Sequence, residues 1–177
     1  MTSQLKVDRI SPANGSEIII DGFGGGVRNI HKSYRNSDFP LTNGVWTRVL
    51  HNVNSIPNSS FSSDTGVFTV GAGDGGLYFI NWNCSFSSAD GVKGLRGAYS
   101  SIFVNGSEKA RALSDMRETG PTVIATPVTT IHPLNEGDEV TIYAFTQGHS
   151  DGSNDIVIGQ AGNSVSSWTM FRIGDGS

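Results

Sequence analysis

The sequence predicts an all-β fold of the sandwich or barrel class, on three observations. Short runs rich in β-branched and aromatic residues recur along most of the chain, each closed by Gly, Asn, Ser or Asp. Charged residues make up only 16% of the 177 positions, below the roughly 25% usual in soluble domains, while 23 glycines supply turns. The dipeptide Asn105-Gly106 follows the alternating run Ile102-Phe103-Val104, and both of its residues tolerate the positive φ of a tight hairpin.

Residues 1 to 40 read as an arm distinct from the rest. Leu5, Val7 and Ile10 alternate with polar neighbours, Glu17-Ile18-Ile19-Ile20 is a second short strand, and Gly22-Phe23-Gly24-Gly25-Gly26 is a hinge. Between Gly22 and Ser37 the charges are Arg28, Lys32 and Arg35 with no acid among them, which makes the arm locally basic. Residues 41 to 177 read as the main domain. Strands are expected near 45–49, 66–70, 77–86, 98–104, 123–131, 139–145, 156–159 and 168–173. The one stretch of helix-forming composition, Ser107 to Glu118, predicts at most a short helix, because it lacks a 3.6-residue apolar stripe.

The run at 77–86 is the most informative. Tyr78, Ile80, Trp82, Cys84 and Phe86 fall on one face of a strand, and Leu77 and Phe79 load the other. A sandwich strand needs one face for its own core. Apolar residues on the second face therefore imply cover from outside the domain, most economically another copy of the chain.

Composition and motifs narrow the function classes. A formal charge of -4 gives no nucleic-acid footprint. No apolar run reaches the roughly 18 residues of a bilayer span, and the opening residues lack a signal-peptide layout, so membrane insertion and secretion are not expected. With Cys84 as the only cysteine, no intrachain disulfide can form, which points to folding in a reducing cytoplasm. Gly71-Ala72-Gly73-Asp74-Gly75-Gly76 fits a dinucleotide fingerprint by spacing, but a strand follows it where a helix N-terminus is required. His31, His51, His132 and His149 have no metal-ligand spacing and are expected at the surface or in turns. Cys84 reads as a buried small hydrophobe. Asp151-Gly152-Ser153-Asn154-Asp155 clusters oxygen ligands that could hold calcium but lacks the remote bidentate Glu of an EF-hand, and reads as a turn. No carboxylate pair or nucleophile elbow stands out, so no cofactor and no enzymatic activity are expected.

Two recurring segments carry a family resemblance. Thr65-Gly66-Val67-Phe68-Thr69-Val70 followed by Gly76-Leu77-Tyr78-Phe79-Ile80 is the first, and Leu134-Asn135-Glu136-Gly137-Asp138-Glu139-Val140-Thr141-Ile142 is the second. With the Asn105-Gly106 hairpin and the closing Ser167-Trp168-Thr169-Met170-Phe171-Arg172-Ile173, the chain from Trp46 to Ile173 resembles the globular complement-q domain of the tumour-necrosis-factor-like jelly rolls. The resemblance implies an antiparallel jelly-roll sandwich assembled as a homotrimer, with Leu77, Tyr78 and Phe79 at the trimer interface. The chain departs from animal members in having no collagen-like stalk and no additional cysteines, which favours a microbial or viral setting. Leu5-Lys6-Val7-Asp8-Arg9-Ile10 followed by Asn14-Gly15-Ser16-Glu17-Ile18 resembles the short N-terminal stretch of bacteriophage tail-fibre and virion appendage proteins.

The combined expectation is a non-enzymatic virion protein made in the host cytoplasm: a tail or head fibre for host attachment, or a capsid decoration protein. The arm would dock to other virion proteins through Leu5, Val7, Ile10, Arg28, Lys32 and Arg35. The alternative is a lectin-like carbohydrate-binding module of the same fold. Its host-surface glycan would lie against the loops 87–97 and 148–155, which carry Lys93, Arg96, His149 and Asp151.

Overall fold

A computed structural model describes residues 28–88, 94–116, 122–147, 156–157 and 166–175. In chain order the strands are β1 (Arg28–Tyr34), β2 (Phe39–Pro40), β3 (Thr47–Arg48), β4 (Val53–Ile56), β5 (Phe61–Ser62) and β6 (Val67–Thr69). There follow β7 (Gly76–Asn83), β8 (Ser85–Ser87), β9 (Gly97–Val104), β10 (Ser107–Asp115) and β11 (Val123–Ala125). The last are β12 (Val128–Leu134), β13 (Glu139–Gln147), β14 (Ile156–Val157) and β15 (Ser167–Gly174). The described residues contain no helix, and every strand pairing among them is antiparallel.

One sheet runs β12-β7-β15-β1-β4. The second runs β10-β9-β13-β6-β5, with β3 added to β13, and a smaller one runs β11-β8-β14-β2. Their inner faces enclose one core. Phe68, Ile102, Val104, Val140 and Ile142 come from the second sheet, and Tyr78, Ile80, Trp82, Trp168 and Met170 from the first. The Trp82 Nε1–H crosses the core to the Tyr143 carbonyl at 3.3 Å, so this buried indole keeps its polar atom satisfied. Cys84 is fully buried, and desolvation pushes its thiol pKa well up.

The two motifs behind the family resemblance are places where the backbone needs a particular residue. In the β12–β13 turn Gly137 has a φ of 83°, and the Asn135 N–H donates to the Asp138 carboxylate at 2.7 Å. At the start of β7 a Cβ on Gly76 would run into the Gly174 carbonyl and the Arg172 side chain, so only glycine lets β7 and the end of β15 approach.

Four expectations are corrected. Ser107–Asp115 is a strand, β10, antiparallel to β9. Asn105 and Gly106, with φ of 51° and 73°, turn the chain straight back, and ladder pairing overrides the helix-forming composition of Glu108 to Ala112. The boundary at residue 40 falls inside the sandwich, because β1 is an interior strand between β15 and β4 and β2 pairs with β14. His31 and His51 are core residues rather than surface ones, at 0% and 1% exposure. Tyr78 is fully buried in the chain's own core, so it has no side-chain surface left for a subunit interface.

Candidate self-association face

The outward face of the β12-β7-β15 sheet departs from an ordinary solvated surface. Side chains of a strand alternate between faces, and β7 does so cleanly: Tyr78, Ile80 and Trp82 are buried, while Leu77, Phe79, Asn81 and Asn83 point outward and are half-buried. On β15 Trp168 and Met170 point inward, and Ser167, Thr169 and Phe171 point out. On β12 the outward residues are Thr129, Ile131 and Pro133. None of these outward positions carries a charge.

Register aligns them in rows. Ile131, Phe79 and Phe171 stand side by side across the three strands, and the Phe79 and Phe171 rings stack at 5.0 Å with planes 23° apart. Pro133 and Leu77 form the adjoining row, which reaches Gly174 on β15 across a register shift after Arg172. The opposite end is polar: Thr129, Asn81, Thr169 and Lys32 are in register, and the Asn81 amide donates to Thr129 Oγ1 at 2.7 Å. Ile131 remains 56% exposed in the single chain. Burying a side chain of this kind completely contributes roughly 1.5–3 kcal/mol. Leu77 and Phe79 therefore lie on this face as expected of outward residues, and Ile131 and Phe171 extend it. The alternation of Trp168 and Met170 against Phe171 was the sequence signal for the second.

No protein-family model matches the sequence, and no curated protein matches it. Solved structures do. The globular domain of zebrafish complement 1qA superposes with a TM-score of 0.57 at 13% identity, covering 82% of this chain and 98% of that one. Eiger TNF from S. frugiperda gives 0.61 at 9% identity, with 84% and 94% covered. Murine APRIL gives 0.56 at 9%, with 81% and 98% covered. The fold is a complement-q/TNF-like jelly roll.

Within this jelly roll the other expected site residues are dispersed. Leu5, Val7, Ile10, Lys93, His149 and Asp151 lie outside the described residues, as does the Asp151–Asp155 loop; of Arg28 only the backbone is described, paired with Arg172. Lys32 sits at the polar end of the outward face. Arg35 is committed within the jelly roll: its guanidinium donates to the Leu50 and Ser37 carbonyls and to Ser37 Oγ, and it stacks 4.8 Å from the Phe39 centroid. Partial burial lowers its pKa, against the opposing charge of Asp38. Arg96 is half-buried, with its backbone bonded to Gln147 and Met116.

The jelly roll also encloses a polar chain invisible in the sequence. Ser33 Oγ lies 2.9 Å from His31 Nε2 and 2.8 Å from His51 Nδ1, so one hydroxyl joins two buried imidazoles. His31 packs against Phe61, Phe68 and Trp168, and His51 against Trp82. Burial lowers the His31 pKa to about 4. Burial, reinforced by His31 and Arg35, lowers that of His51 to about 3, so both rings are neutral at pH 7. Among the described residues no cluster of three or more His, Cys, Asp or Glu could hold a metal ion.

Proposed function

We propose that the protein is a non-enzymatic structural component of a virus particle, a homotrimeric surface appendage in which three jelly rolls meet through the β12-β7-β15 face. The observation that carries the reading is that face: uncharged, aromatic at one end, and aligned in rows by the register of three strands. A solvated sheet face normally carries charge, and a contiguous apolar patch on one marks an association surface. Closed cyclic symmetry would bury the same patch on every copy. The phage setting is supported by the likeness of residues 5–18 to appendage N-termini and by the single cysteine. Residues 1–27 would then be the docking arm, and many trimers per particle would turn weak host contacts into avidity.

Light scattering on the purified chain tests the assembly, with a mass near three times 18.8 kDa expected. A monomer would overturn it. Deleting residues 1–27 leaves β1 intact and tests the arm: the trimer should persist and fail to join the particle, and normal incorporation would overturn the division of labour.

A second reading, a carbohydrate-binding module of the same fold, is favoured by the pairing of Gly97 with Gln147. It sets the start of β9 beside the end of β13 at one end of the sandwich.

A further inference from the structure

The outer face of the second sheet, opposite the self-association face, carries an aromatic platform. Alternation on β9 and β13 turns Tyr99, Phe103, Tyr143 and Phe145 outward. Trp46, just before β3, lies 5.2 Å from Phe145 and 6.2 Å from Tyr99, and Phe145 and Tyr99 are themselves 5.2 Å apart. All are half-buried, and all but Trp46 stand on strands of the sheet. Two arginines belong to the same surface. Arg111 lies 5.0 Å from the Trp46 centroid and is held there by an ion pair with Glu108 at 2.5 Å. Arg48 lies 5.7 Å from the Tyr143 centroid and donates to the Tyr143 hydroxyl and the Thr65 carbonyl, and no carboxylate partners it among the described residues.

Arg48 is also the wall between the platform and a cleft of about 620 Å³. Five hydroxyl residues, Ser59, Ser60, Ser62, Thr65 and Thr69, line that cleft together with Phe61, Val67, Val70 and Glu139. The surface thus offers flat rings, then the exposed Arg48 guanidinium, then a cleft where hydroxyls alternate with apolar side chains.

We propose that this face binds an acidic oligosaccharide, with sugar rings lying on Trp46, Tyr99 and Phe145, a carboxylate taken by Arg48, and the chain continuing into the hydroxyl-lined cleft. Each part has its chemical reason. A pyranose presents an apolar C–H face that suits a rigid aromatic surface, and its hydroxyl edges suit Ser, Thr and Glu partners. A guanidinium binds a carboxylate in two parallel hydrogen bonds. A nucleic acid would need a row of unpaired cations for its phosphates, whereas Arg111 is already neutralised by Glu108. The inference rests on the carbohydrate-binding reading and moves its site from the loops to the sheet. In a trimer closed through the opposite face, three such platforms would point outward.

The full-length protein is titrated with oligogalacturonate and with a sialylated oligosaccharide, with the carboxyl-reduced form of the first and neutral dextran alongside. Saturable binding of at least one acidic probe is expected, preferred over the reduced form. Trp46→Ala should weaken it about tenfold or more, and the exposed Arg48→Gln should abolish the preference for the carboxylate without altering the solution mass. Binding that survives both substitutions would overturn the site while leaving the carbohydrate-module reading standing. Equal binding of the reduced form by the unaltered protein would overturn the acidic class. No probe binding above dextran would overturn both site and reading.

Discussion

At the scale of single residues, the His31–Ser33–His51 chain makes the core sensitive to acid. Unfolded, each imidazole titrates near its usual 6.5, whereas in the fold His31 titrates at about 4 and His51 at about 3. Between those limits the unfolded chain binds protons that the folded one does not. The stabilisation is therefore fully present above about pH 6.5 and is lost as the pH falls toward 4 and then 3. At pH 5 each ring accounts for about 2 kcal/mol of that loss. Thermal melts from pH 7.5 to 5 should show a steadily falling midpoint. A His51→Asn variant, less stable at pH 7, should show a shallower slope, and an unchanged slope would mean that other groups control the acid response. Nothing in the spacing of these histidines announces the pair. Ser33 and His51 stand on separate segments, and only the pairing of β1 with β4 brings the second close to the first.

At the scale of elements, the β9–β10 hairpin is anchored by its own turn. Asn105 holds a φ of 51°, donates through its amide to Asp138 at 2.7 Å, and accepts from the Glu139 N–H at 2.9 Å, tying the hairpin tip to the β12–β13 turn. The Asn135 N–H, with the Asn105 amide, holds the Asp138 carboxyl below its ordinary pKa. Replacing Asn105 by Ala removes both bonds and leaves a Cβ-bearing residue in the left-handed region without local support. A loss of roughly 2–3 kcal/mol should appear as a lower denaturant midpoint at unchanged m-value. The hairpin was legible because Asn-Gly dictates local geometry, and so was the alternation of Tyr78, Ile80 and Trp82 against Leu77 and Phe79; the single strand expected at 77–86 is instead two, β7 and β8, which belong to different sheets with Cys84 between them. β10 was not legible. Its Glu108-Lys109-Ala110-Arg111-Ala112 favours helix locally, and its strand state comes from β9, on which it lies as a charged sheet edge. The split of 123–131 into β11 and β12 at Thr126-Pro127 likewise reflects two different partners, β8 and β7.

At the scale of the whole molecule, the jelly roll was readable from its two glycine-containing motifs, and the outward loading of Leu77 and Phe79 from alternation. The rows they form with Ile131 and Phe171 depend on β12 and β15 flanking β7, which no single-strand pattern contains. Phe79→Asp places a carboxylate in the middle of that face while leaving the buried side of β7 untouched. Such a variant should stay folded by circular dichroism and sediment as a monomer; a persistent trimer would locate the interface elsewhere. The order in which these strands leave the ribosome matters as well. β15 is the last described strand, yet it lies between β7 and β1, pairing with both. During synthesis β1 and β7 must wait unjoined until residues 167–174 emerge. The stacked Phe79–Phe171 surface is thus absent from a nascent chain until β15 has emerged, and the proposed association through it would have to follow translation of that strand.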